Sequence, residues 1–218
     1  MRTLIKILFI LSISLGLLHG SNVVNPKVYD KKSKQYYKKY KQEWSKLPKE
    51  NKDRIIKAYR KAQEHNLGYT LAATKFLENR GSDTSYSNKK SINKNIHKDY
   101  ITYDCGDYGI NTMTYLKSIN KATKNHNAHI AACKKLATDK KLNLKMAMDT
   151  YNYALERYDG NLIKSWNYYN TGRDRIINDR IFKVKGFIMV LQEELKDTSA
   201  SQLWAGNIMK HNLKKREI

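Results

Sequence analysis

The chain has 218 residues, with 42 lysines and arginines against 20 aspartates and glutamates, for a formal net charge of +22. That length fits one domain with enough sequence for a substantial core, and the charge predicts an anionic partner or surface. The two cysteines, Cys105 and Cys133, match no zinc or redox spacing, and no cofactor or metal is expected.

Arg2 and Lys6 precede an apolar run from Ile7 to Leu18, with a small-residue exit at Gly20 and Ser21. The run suits a signal-peptide core and is short for a bilayer span of about 20 residues. Residues 1–21 therefore read as a signal peptide, with an uncleaved anchor as the alternative and the only expected route to membrane contact. Its removal leaves 40 basic against 20 acidic side chains. Nucleic acid is the usual first guess for such a surplus, but an exported protein in the periplasm or cell envelope meets wall polymers and lipid head groups instead. In an oxidising compartment a Cys105–Cys133 disulfide is expected, worth on the order of 3–4 kcal/mol through chain entropy. Two separate buried thiols are the alternative.

Pro26 and Pro48 are the only prolines, and beyond them the pattern is helical almost throughout. Residues 22–50 form a basic, Lys/Tyr-rich N-terminal piece whose helix should run from about Tyr29 to Leu47 and stop at Pro48. Its Tyr36/Tyr37/Tyr40/Trp44 cluster is expected to pack on the main domain, at residues 51–197, although a polymer or membrane surface would also suit it. Ile55, Ile56, Tyr59 and Ala62 recur at helical spacing, and Leu71, Ala72, Phe76 and Leu77 mark a second core helix.

Periodicity disappears over residues 81–110, a length that points to a functional loop or small hairpin. Helices are expected again at Thr112–Ile119, Asn127–Thr138, Asn143–Tyr158, Leu162–Tyr169 and Ile176–Leu195. The Asp159–Gly160 pair separates two of them. Residues 198–218 form a basic tail with a final helical piece around Ala200–Leu213. The fold class is all-α, with a small irregular or β-hairpin insertion.

Glu78 ends an apolar, alanine-rich helix, and "NRGSDTSY" turns the chain immediately after it. A carboxyl group between a packed helix and a polar loop can be partly desolvated and act as a general acid. By position alone, a helix-terminal glutamate is more often a solvated charge. Asp83, Asp104 and Asp107 are loop carboxylates that could partner it, but turn and capping roles suit them better. His126 and His129 have a spacing compatible with metal binding. Without a third ligand they read as a surface pair.

Taken together, three segments resemble lytic transglycosylases of the soluble type, in the lysozyme-like superfamily. "EHNLGYTLAATKFLENRGS" resembles the helix that delivers the catalytic glutamate. "DYGINTMTYL" is similar to the Gly-x-x-Gln turn, and "SWNYYNTG" to the Ala-Tyr-Asn-x-Gly run that lines the cleft. "CKKLATDKKLNLKMAMDTYNYALERYDGN" resembles the lead-in to that last run, and the likeness spans about Arg54 to Leu191.

The resemblance implies a lysozyme-like fold, Glu78 as acid/base, and Asn79, Gly109, Thr112, Tyr169, Asn170 and Gly172 as substrate-binding positions. Asn79 stands where the family has serine, Thr112 where it has glutamine, and Phe182 where it has a tyrosine. The implied substrate is the peptidoglycan bond between N-acetylmuramic acid and N-acetylglucosamine. It would be cleaved by one carboxylate with closure of the muramic C6 hydroxyl onto C1; a hydrolase would need a second carboxylate. By analogy, a secretion or conjugation machine is an implied partner. A binding protein that kept the fold and lost the chemistry is the second expectation, motivated by the three substitutions.

Overall fold

The computed structural model describes residues 26–84, 92–172 and 179–196, with side chains from residue 31 onward. The signal-like segment, the 198–218 tail and the helix expected around Ala200–Leu213 lie outside the described residues. Among these residues are eight helices: α1 (Pro26–Ser45), α2 (Lys49–Gln63), α3 (Gly68–Asn79), α4 (Thr112–Ser118), α5 (His126–Thr138), α6 (Lys140–Arg157), α7 (Leu162–Thr171) and α8 (Arg180–Glu194). Three strands, β1 (Ile92–Ile96), β2 (Ile101–Cys105) and β3 (Ile110–Asn111), fall between α3 and α4. The mainly helical class with a small β insertion is the one the sequence predicts.

The insertion is an antiparallel sheet in the order β1-β2-β3. β1 pairs with β2 from Ile92↔Cys105 to Ile96↔Ile101, and β2 pairs with β3 through Cys105↔Ile110. Its inner face lies against α5. There the Cys105–Cys133 disulfide (Cα–Cα 5.5 Å) ties the end of β2 to the middle of α5. The disulfide expected from context is therefore present, and it fixes the base of the turn leading to Gly109.

α3 is the central helix. Eight of its twelve residues, Gly68 and Thr70–Phe76, are buried, because it packs against α2 on one side and α8 on the other. Phe76 stacks on Phe187 of α8 with ring centroids 3.8 Å apart. Tyr40 and Trp44 of α1 close over the pair edge-on, and both are nearly inaccessible. α1 is thus part of the same core as the main domain, held also at its rim by Tyr37 donating to Glu193 (2.6 Å) and Trp44 Nε1 to Glu194 (3.0 Å).

The helix ends follow local chemistry. Asn111, Asn125, Asp139 and Asn161 each accept a backbone N–H of the first turn that follows them, satisfying donors with no partner inside the helix. α3 stops at Arg80, which takes the left-handed conformation (φ 55°). Arg80 then turns back over its own helix: Nη1 donates to the Phe76 carbonyl (2.7 Å), Nε pairs with Glu43 (2.8 Å), and the guanidinium lies 4.4 Å from the Phe76 ring centroid. This cap ends the helix within one turn of Glu78.

Candidate active site

α3 carries a polar stripe, Thr70, Thr74 and Glu78, at i, i+4 spacing, so all three point the same way. Thr70 accepts from Trp166 Nε1 (3.1 Å) and Thr74 bonds the Tyr151 hydroxyl (2.7 Å). Glu78 continues the row at the helix end, with its side chain 21% exposed. One oxygen, Oε1, lies 2.7 Å from Nη2 of Arg180, the first residue of α8. The other faces Gly109, where a built Cβ would lie only 2.8 Å from Oε2.

Gly109 closes the turn between β2 and β3, with its N–H donating to the Gly106 carbonyl (3.2 Å) and a φ of 60°. Two requirements therefore fall on this one position: a backbone shape that costs an L-residue energy, and a gap that only a hydrogen fills. The turn is gripped from three directions. Asn143, fully buried in α6, accepts from the Tyr108 N–H (3.0 Å) and donates to the Cys105 carbonyl (2.9 Å). Asn79 donates to the Asp107 carbonyl (3.0 Å). Tyr169 donates its hydroxyl to the Tyr108 carbonyl (2.8 Å) while its ring stacks 4.3 Å from that of Tyr151.

Electrostatics reinforce the arrangement. Burial pushes the Tyr169 hydroxyl well above its usual range, aided by Tyr151 and the Glu78 carboxylate, so it stays a donor. The same burial lifts Tyr151 to about 12. Burial works against the Arg180 charge, but Glu78, Tyr151 and Tyr169 more than offset it and raise Arg180 above its usual value.

The sequence-predicted residues separate into two groups. Glu78, Gly109 and Tyr169 come together around one carboxylate. Asn170, exposed, lines an adjoining cavity with Arg180. Gly172 caps α7 in the left-handed conformation, with no described residue within 4 Å of where a side chain would be.

Thr112 departs from expectation. It is fully buried, bonding His129 Nδ1 (2.8 Å) and accepting from the Tyr103 N–H, because α4 turns its first side chain under the sheet. It presents no surface to a ligand. Asn79 holds the Asp107 carbonyl and accepts from the Gly81 N–H through its amide oxygen, so its contacts are with the turn and not with the Glu78 carboxyl.

His126 and His129 also differ from the surface pair expected. His126 is exposed, but His129 is buried between Thr112 and the Thr123 carbonyl (2.9 Å). Phe182 is buried in α8, with the Lys32 ammonium 4.9 Å from its ring centroid.

The three carboxylates expected in loops are engaged elsewhere, and Asp104 lies within β2. Asp104 accepts from the Asn111 amide (2.8 Å) and Asp83 pairs with Lys140 (3.4 Å). Asp107 pairs with the buried Lys75 ammonium (2.6 Å) and accepts from the Thr84 hydroxyl. Two positioning residues escaped sequence reading. Arg180 is one arginine in a chain full of cations, and Asn143 looks like any polar residue near a helix start.

No family model, curated protein or solved structure matches this chain.

Proposed function

We propose that the chain is an exported peptidoglycan lytic transglycosylase with Glu78 as its acid/base. The observation that carries this reading is the setting of Glu78. A carboxyl group sits at the end of the central buried helix, held on one oxygen by Arg180 and abutted on the other by the Gly109 backbone. In the proposed reaction, the Glu78 carboxyl protonates the glycosidic oxygen between N-acetylmuramic acid and N-acetylglucosamine. The bond to C1 breaks, and the N-acetylglucosamine oxygen leaves as a hydroxyl. The Glu78 carboxylate then takes the proton of the muramic C6 hydroxyl as its oxygen bonds to C1, closing the 1,6-anhydro ring with no water consumed. Asp83, Asp104 and Asp107 are committed to other partners, which removes these three as the second carboxylate that hydrolysis needs beside the bond. The basic surface suits an anionic wall polymer.

One observation favours a second reading, a glycan-binding protein without catalysis. Arg180 Nη2 lies 2.7 Å from Oε1 of Glu78, so one of the two carboxyl oxygens is already engaged by the neighbouring helix. On this reading the Glu78–Arg180 pair is a structural tie between α3 and α8.

Digestion of purified peptidoglycan, followed by mass spectrometry of the muramic ends, separates the readings. Anhydro ends made by the wild type and lost in Glu78→Gln are the expected result. Reducing ends would replace the proposal with hydrolysis. Binding without cleavage would establish the second reading.

A further inference from the structure

A cavity of about 390 Å³ opens beside the Glu78–Arg180 pair, between α1, the end of α3, the end of α7 and the start of α8. Four cationic residues line it, Lys39, Arg80, Arg180 and Lys183, together with Asn170 and one acid, Asp179. A second cavity of about 310 Å³ continues from it along α1, sharing Lys39 and Asp179 and adding Lys32, Gln35 and Tyr36. Lys32, Gln35, Tyr36 and Lys39 recur at helical spacing, so a single face of α1 walls both cavities, which adjoin at Lys39 and Asp179 to form a groove. Each space by itself falls at the small end of the range of small-ligand sites.

Among the described residues, the cations at the cavity share few acids. Arg80 is paired with Glu43 (2.8 Å), and Lys39 reaches the same carboxylate only at 3.9 Å. Asp179 is shared by Lys32 (3.8 Å) and the Tyr36 hydroxyl (3.3 Å). Lys183 lies over the Tyr36 ring at 5.8 Å. Counting Lys32, five cations among the described residues face three acids: Glu43, Asp179 and Glu78.

Resting on the function proposed above, we infer that this groove is a subsite for the stem peptide of the glycan, taking a peptide carboxylate between Lys39, Lys183 and Arg180. Stem peptides leave the muramic lactyl group, next to the bond that Glu78 would cleave, and they carry carboxylates and amines together. A groove with excess positive charge and one acid at its centre matches that mixed charge better than a phosphate polymer, which Asp179 would repel. Arg180 belongs to both places, so a carboxylate in the cavity competes with Glu78 for the same guanidinium.

The test is co-sedimentation on ice at 0.15 M salt, with intact peptidoglycan sacculi and with sacculi stripped of stem peptides by an amidase. Lys39 is exposed and Lys183 half-buried, so Lys39→Ala/Lys183→Ala should fold, and circular dichroism checks this; Lys183→Glu is the second variant. Wild-type protein should bind intact sacculi more tightly than stripped ones. The double variant should lose about threefold or more in affinity for intact sacculi and keep its affinity for stripped glycan. Equal losses on both sacculi, or no loss on either, would overturn the subsite. Failure of the wild type to bind stripped glycan at all would instead sink the glycan reading itself.

Discussion

Replacing Gly109 with alanine tests the geometry on which the active-site assignment depends, and Gly172→Ala supplies its control. Both glycines have φ near 60°, at 60° and 62°, so alanine at either should cost about 1–2 kcal/mol of backbone strain. Among the described residues, the new methyl meets a neighbour only at Gly109, Glu78 Oε2 at 2.8 Å; none lies within 4 Å at Gly172. Relief to ordinary van der Waals contact moves the carboxyl by roughly 0.6 Å, away from the turn and out of register with Arg180. Disturbing that ion pair, which is partly exposed on the Glu78 side, should add about 1–2 kcal/mol, well below the roughly 3–5 kcal/mol of breaking a buried pair outright. Gly109→Ala is therefore expected to be less stable than Gly172→Ala by that margin in urea unfolding. On the proposed function, cleavage should also fall about tenfold or more, since displacements approaching 1 Å are costly at a reacting group. Equal stability of the two variants, with full cleavage by Gly109→Ala, would refute the contact between the turn and the carboxyl.

Other outcomes follow from the buried pairs and the covalent tie. Asp107→Asn leaves the Lys75 ammonium, 3% exposed, without its charged partner and should cost about 3–5 kcal/mol; Lys75→Met/Asp107→Leu should recover much of that, read from urea midpoints. Burial opposes ionisation of Asp107, but the Lys75 charge and the Lys75 and Thr84 hydrogen bonds outweigh it and hold the carboxyl below its usual 3.8. Its contribution is complete above that value and disappears as pH falls through the lower folded one. Stability measured from pH 6 to pH 2 should drop below about pH 4 in the wild type and lose part of that drop in Asp107→Asn; superimposable acid limbs would exclude the pair as their source. Reducing the Cys105–Cys133 bond, which spans 28 residue steps, should lower unfolding free energy by about 3–4 kcal/mol, and an unchanged urea midpoint under reductant would contradict this. Tyr169→Phe keeps the stack on Tyr151 but leaves the Tyr108 carbonyl unpaired, at about 1 kcal/mol, detectable as a lowered melting temperature.

Much of the helical framework was legible in the sequence because helix formation is written locally. Apolar residues at 3.6 spacing marked α2 and α3, and Asp159–Gly160 marked the gap between α6 and α7. The loss of periodicity after Gly81 marked the insertion. Glu78 could be singled out because the turn that ends its helix is encoded in the residues beside it. Tertiary structure decided what those residues meet. Thr112 and Gly109 stand three positions apart, yet one is sealed under the sheet and the other abuts the carboxyl. Which way each points depends on how β2 and β3 pair and on where α5 covers them. Arg180 lies about a hundred residues from Glu78, and no local pattern reports a pairing that exists only because α8 packs across α3. The same holds for the groove along α1. Its lysines are visible in the sequence as a charged stretch, but burial of Tyr40 and Trp44 against Phe76 and Phe187 fixes which face of the helix remains open beside the Glu78–Arg180 pair.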